Sequence, residues 1–275
     1  MIPIWIERPK ARSLVLSLLV VLSGCFSGDL NGLFERAVSQ HKSQQYKEAL
    51  DGYQRVIKRE PRSGLAMRAA RMAAEISTVH MSDYEAAAGF YQHIVVFSDR
   101  PKERKFAQKR LARLYFDKKQ DFKSAIMAYH ELLNLDLSNR EKIQIKFRIA
   151  KSYFYLNQFE QAIIETEEAL DLKPSSAVRF DLALFRGNVL LTLKRLDEAI
   201  QQYKTLLETE PKRSREENVA LNLAVCFEEQ NNFEAAIEVL QEMKEDYPQP
   251  EFVELKIQRL KTRRKNLPGA KGFVR

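Results

Sequence analysis

An aromatic residue or leucine stands three places before an alanine six times along this chain, at Tyr46/Ala49, Tyr84/Ala87, Phe122/Ala125, Phe159/Ala162, Leu196/Ala199 and Phe233/Ala236. Successive pairs lie 38, 38, 37, 37 and 37 residues apart. A fixed period of this size means stacked supersecondary units, each too small to bury its own apolar face. With 275 residues, 30% charged and 45% hydrophobic, the chain could build one large core, but the regular period argues for a quasi-linear array.

Each pair opens the second of two amphipathic stretches. In the clearest unit, helix A carries Ile143, Phe147, Ile149, Ala150 and Tyr153, helix B carries Phe159, Ala162, Ile163, Ala169 and Leu170, and Pro174 closes it. Apolar residues recur at three- and four-residue steps, the signature of a helix with one buried face. A small residue occupies one helix-A position in every unit: Ala37, Ala74, Ala112, Ala150, Gly187 and Ala224. The matching helix-B position holds Tyr53, Tyr91, Tyr129, Thr166, Tyr203 and Leu240. Pro61, Pro174, Pro211 and Pro248 end units, since proline cannot donate the next backbone hydrogen bond.

These units resemble tetratricopeptide repeats, which implies an all-α solenoid of about six helix-turn-helix repeats over residues 31–249. The period exceeds the family's usual 34 residues. Units two and three fit best with one extra residue in the A–B turn, at Val79–Asp83 and Asp117–Asp121. Residues 250–266 make a further amphipathic stretch, read as a basic capping helix carrying Lys256, Arg259, Arg263, Arg264 and Lys265. Residues 267–275 form a tail containing Gly and Pro.

The start of the chain reads as a targeting segment. Arg8, Lys10 and Arg12 precede the apolar run Leu14–Leu22, and Leu22-Ser23-Gly24-Cys25 follows. The run is too short to span a bilayer. It resembles a bacterial lipoprotein signal over residues 1–24, which implies cleavage before Cys25 and acylation of that cysteine, with residues 25–30 as a short tether. Extended, the tether reaches about 20 Å, placing the first repeat near the membrane. Phe26 follows the cysteine where such families use aspartate to stay at the inner membrane. The expected location is therefore the periplasmic face of the outer membrane. The other cysteine, Cys226, sits in an apolar string and reads as a small packed hydrophobe.

Net charge is +8, but its distribution excludes a simple nucleic-acid reading. Residues 250–275 hold eight basic and two acidic side chains, residues 1–24 hold three and one, and residues 25–249 sum to zero. No nucleic-acid partner is expected. Residues 100–123 concentrate ten basic against three acidic side chains, while acidic residues thicken later in the chain. Such opposite patches could steer a partner or allow head-to-tail self-association.

The histidines, His41, His80, His93 and His130, show no metal-ligand spacing, and there is no Gly-rich phosphate loop, CxxC or GxSxG. The chain reads as non-enzymatic and free of cofactors, apart from the lipid expected on Cys25. The resemblance instead implies a binding groove along helix A, flanking the small residues. Counting from Ala112, Ala150 and Gly187 selects Lys109, Arg113, Phe116, Phe147, Lys151, Phe154, Tyr155, Leu184 and Asn188. This mix of aromatics and cations suits an extended peptide with acidic and apolar side chains. A carboxylate clamp of the kind found in some relatives is matched only in part, by Asn188.

The expected function is a lipid-anchored scaffold for envelope proteins or extended peptides. Secretin pilotins, the lipoprotein subunit of outer-membrane protein assembly and adaptors of peptidoglycan hydrolases share this layout. The alternative is a surface protein that binds peptidoglycan, lipopolysaccharide or anionic lipid through its basic patches.

Overall fold

The computed structural model describes residues 29–266. The signal segment, Cys25, most of the tether and the tail lie outside the described residues. All regular structure among the described residues is helical. The chain divides into two compact units between Leu114 and Tyr115.

The first unit contains α1 (Leu30–Lys42), α2 (Tyr46–Arg59), α3 (Gly64–Val79), α4 (Tyr84–Phe97) and α5 (Pro101–Arg113). Side-chain oxygens of Asp29, Ser63 and Asp83 cap α1, α3 and α4 by accepting backbone N–H bonds at 3.1, 3.1 and 3.0 Å. Pro101 opens α5, where its missing N–H costs nothing. Phe34 and Ala37 of α1 pack against Ala49 and Tyr53 of α2 and Ala69, Ala73 and Ile76 of α3. The helices approach closely: a β-carbon on Gly52 would fall 2.7 Å from the Ala37 Cβ.

A π-helical turn, Leu114–Lys119, follows α5. The second unit continues with α6 (Phe122–Leu133), α7 (Asn139–Tyr155), α8 (Phe159–Asp171), α9 (Ser176–Thr192) and α10 (Leu196–Thr209). It ends with the short α11 (Pro211–Glu216), α12 (Val219–Glu229), α13 (Phe233–Lys244) and α14 (Pro250–Lys265). Ser138 and Glu141 form a reciprocal capping box at the start of α7. One core links α8, α9, α10, α12, α13 and α14, with Phe180, Val189, Leu190, Tyr203, Leu223, Phe233, Leu240, Val253, Ile257 and Leu260 inside it. Thus α14 closes the last hairpin by burying Val253, Ile257 and Leu260.

The six A–B turns share one device. Gln44, Ser82, Gln120, Asn157, Lys194 and Asn231, each two residues before the helix-B bulky residue, adopt positive φ between 51° and 61°. In four turns an N–H bonds a carbonyl five residues back: Gln45 to Gln40, Gln158 to Tyr153, Arg195 to Leu190 and Asn232 to Phe227. This is the helix-terminating pattern that satisfies the last carbonyls. In units two and three the corresponding bonds, Asp83 to Ser77 and Asp121 to Tyr115, span six residues. The extra residue therefore sits at the end of helix A, and in unit three it is absorbed as the π-helical turn.

One feature departs from a plain hairpin array. Pro211 opens a helix of its own, α11, and the left-handed Asn218 (φ 55°) then starts α12. The buried Ser214 hydroxyl donates to the Leu206 carbonyl at 2.8 Å, pinning α11 to the end of α10.

Candidate protein-interaction face

The nine residues expected to form a groove are divided by the fold. Lys109 and Arg113 lie on α5 in the first unit, and the other seven lie in the second.

In the second unit the aromatics form a connected series. Phe116 meets the Phe122 ring edge-on at 5.6 Å, and Phe122 stacks on Tyr155 at 4.6 Å with a 21° interplanar angle. Tyr155 touches Phe154 at 6.1 Å, Phe154 meets Phe185 at 5.7 Å, and Phe185 meets Phe147 at 5.5 Å. Residues 147 and 154 are two helical turns apart on α7, so both present to the same stripe of α9. Edge-on and offset contacts at these separations are the favourable ones for rings with negative faces and positive edges. Phe147 and Phe154 are therefore half-buried repeat-packing residues with one side still open, whereas Tyr155 is 56% exposed.

Two cations stand on this series. Arg148 lies 4.7 Å over the Phe116 ring and also pairs with Asp117. Lys151 Nζ lies 4.2 Å over Phe147. Partial burial, then repulsion from Arg148, lowers the Lys151 pKa from its ordinary value, and Asp181 opposes the shift. Asp181 is itself engaged by Arg213, which also donates to the Ala177 carbonyl at 2.6 Å and stacks 4.4 Å over Phe180. Lys151 consequently has no ion-pair partner among the described residues. A half-desolvated ammonium on an aromatic face, without a counter-ion, gains more from an incoming carboxylate than a fully hydrated lysine would.

Leu184 packs its side chain against the core. Asn188 is exposed, and its Oδ1 accepts from the Tyr203 hydroxyl at 2.7 Å and from Asn222 Nδ2 at 3.2 Å. This links α9 to α10 and α12 and leaves the Asn188 amide N–H groups as the donors it can offer. Phe185, Arg148 and Asn222 belong to this face but were not selected by counting from the small residues. The spacing of Phe147 and Phe154 on one stripe was a signal that α9 must supply a partner ring.

The basic cap is less available than its sequence implies. Arg259 and Arg263 both pair with Glu228, and Arg264 pairs with Glu234 at 3.1 Å. Lys256 lies 5.0 Å over Phe252, while Lys265 is exposed. Most of the guanidinium charge on α14 thus fastens the helix to the last hairpin.

Among the described residues no three His, Cys, Asp or Glu side chains form a group able to hold a metal. Cys226 is buried, and burial pushes its thiol up to about 11, which keeps it protonated and unreactive. No described helix is long and apolar enough to cross a membrane.

Three family models, each described as tetratricopeptide repeat, match residues 32–63, 147–215 and 190–258. The chain is a tetratricopeptide-repeat protein. Similar solved structures include YrrB, described as a TPR protein with an unusual peptide-binding site. It is 19% identical, with 75% of this chain and 97% of that chain covered and a TM-score of 0.53. MamA is 15% identical over 68% of this chain and 97% of its own, with a TM-score of 0.52. The C-terminal part of a TPR repeat-containing protein from Cytophaga hutchinsonii is 16% identical over 87% and 96%, also at 0.52. These likenesses establish the fold. No curated protein sequence matches the chain. Tetratricopeptide repeats are generally non-catalytic scaffolds that hold protein partners, and the stacked hairpins here have that architecture.

Proposed function

We propose that this protein is a lipid-anchored, non-enzymatic scaffold of the bacterial envelope that holds extended segments of other envelope proteins. The observation that carries the binding role is Lys151, a half-buried cation without an ion-pair partner among the described residues, set into the aromatic series from Phe116 to Phe147. A ligand carboxylate would meet Lys151, and an adjacent apolar or aromatic side chain would cover the exposed Tyr155. The peptide-binding site described for YrrB is in keeping with such a use of the fold.

The envelope reading rests on sequence: the basic start, the apolar run and Leu22-Ser23-Gly24-Cys25. Acylation of Cys25 would hold the first repeat near the outer membrane on its periplasmic face. Pilus secretion, outer-membrane assembly and hydrolase recruitment are the roles that share this layout. The reading through basic patches gains less support, because Arg259, Arg263 and Arg264 already face Glu228 and Glu234.

Crosslinking and pull-down from native envelopes tests the binding role. The combined Phe147→Ala, Lys151→Ala, Tyr155→Ala variant should lose partners that the parent protein captures, and capture of the same partners by both would refute it. Cleavage before Cys25 has its own optical test. Trp5 is the only tryptophan, so the membrane-extracted mature form should show no tryptophan emission.

A further inference from the structure

The last helix closes the array, and its outer face is not the wholly polar one that the end of a solenoid needs to stay soluble. α14 buries Val253, Ile257 and Leu260 against the last hairpin. On its opposite side Glu251, Leu255 and Arg259 follow at four-residue steps, so they form one stripe along the helix. Leu255, at the middle of the stripe, is 70% exposed. Phe252 beside it is partly exposed, stacks on Tyr247 at 6.1 Å and carries Lys256 5.0 Å over its ring. Glu251 is exposed and makes no ion pair among the described residues. Arg259 shares Glu228 with Arg263 and keeps 64% of its side chain in solvent, with N–H groups to spare.

We propose that this stripe is the contact of a symmetric pair, in which a second copy of the chain lays its α14 antiparallel along this one. A two-fold axis sets residue i against j and j against i. With Leu255 on the axis, the residue four places before it meets the residue four places after it, so Glu251 faces Arg259 of the partner subunit at both ends of the contact. A stripe that reads acid, apolar, base at equal steps is its own complement, which an unrelated partner would not require. Charge along the whole helix sets the direction. Glu251 and Glu254 lie in its first two turns, and six basic residues follow from Lys256 to Lys265. Laid in the same direction, two such helices would bring like charges together; laid antiparallel, each acidic end meets a basic one. Leu255 and Phe252 supply the apolar centre that leaves water on pairing. One pair of helices covers less than the roughly 800 Å² per partner of a standard interface, so the expected dissociation constant is on the order of micromolar. Pairing would put two Lys151 faces on one assembly and hold a partner with a repeated segment by avidity. The contact itself rests on neither the lipid nor the Lys151 face.

The test is sedimentation equilibrium of the purified full-length protein in detergent, across the micromolar range. A monomer–dimer equilibrium is expected, and Leu255→Asp should weaken it by at least about tenfold. Glu251→Arg and Arg259→Glu proteins should each fail to pair alone, whereas an equimolar mixture of the two should pair, since every arginine then meets a glutamate. Under copper–phenanthroline oxidation Leu255→Cys should form a disulfide-linked dimer beyond the parent's level, and Lys265→Cys should not. The altered side chains are exposed, and an unaltered thermal midpoint will show that the variants fold. A protein monomeric at every concentration would overturn the proposal and give the face another cover, such as residues 267–275. Pairing that Leu255→Asp leaves unchanged would overturn it by placing the contact elsewhere. Growth beyond dimers would overturn it in favour of head-to-tail association.

Discussion

Gly187 of α9 lies directly against the ring of Tyr203 on α10: a β-carbon at Gly187 would fall 2.7 Å from Tyr203 Cε1. Tyr203 is fully buried and its hydroxyl is tied to Asn188, so the ring cannot yield. In this repeat the small helix-A residue admits the large helix-B residue. Gly187→Ala should therefore destabilise the protein by about 1–3 kcal/mol, despite alanine's better helix propensity. Gly89 provides the contrast, since nothing lies within 4 Å of a β-carbon there. Gly89→Ala on α4 should stabilise by about 0.5–1 kcal/mol. Denaturant midpoints of the two variants, moving in opposite directions, check both.

The left-handed turn residues make a second prediction. Gln44 holds φ at 61°, is exposed and has a β-carbon that crowds the following carbonyl. Gln44→Gly should raise stability by about 0.5–1 kcal/mol, because glycine adopts this conformation without steric cost. Thermal unfolding would show it, and a lowered midpoint would contradict the strain account.

Cys226 tests the packing of the second unit. Its buried thiol is pushed up to about 11, so almost none is thiolate at neutral pH. A maleimide probe should label it only when denaturant unfolds the repeats, with the labelling and unfolding curves coinciding. Rapid labelling of the native protein would show that α12 opens on its own.

His93 gives the first unit a pH dependence. Burial holds its pKa below the ordinary 6.5, only partly offset by the bond its Nε2–H makes to the Pro61 carbonyl at 2.9 Å. The unfolded chain takes up a proton near pH 6.5 that the folded chain resists. Stability from this site is complete above that pH and falls as pH drops below it. Between about pH 7.5 and about pH 5, His93→Gln should lose less thermal stability than the parent, since glutamine can still donate to Pro61 and does not titrate. An equal loss in both would remove His93 as the cause.

The repeat architecture was legible because its cause is local. The Tyr46/Ala49-type pairs mark the start of each helix B, and the small helix-A residue across the hairpin, Ala37 beside Tyr53 or Gly187 beside Tyr203, recurs at the same period because every hairpin must close in the same way. The extra residue of units two and three was legible as a change in spacing, but its form was not. A longer turn and a π-helical turn at Leu114–Lys119 have the same residue count. Nor did the pattern disclose α11, because Pro211 reads equally as a helix end and as a helix start. At the candidate face, Lys151 and Phe147 were legible as types on a helix. That Arg213 occupies Asp181 and so leaves Lys151 without a counter-ion depends on side chains about 30 residues apart. The same holds for the cap, where Glu228 draws in Arg259 and Arg263 from the next helix.

The most direct measurement is a charge reversal at one position. Lys151→Glu, placed in the full-length protein, should abolish crosslinking to envelope partners while leaving the thermal midpoint within a few degrees of the parent, because Lys151 makes no ion pair among the described residues. Retention of the same crosslinked partners at parental levels by the Lys151→Glu protein would contradict a scaffold that holds its partners on this face.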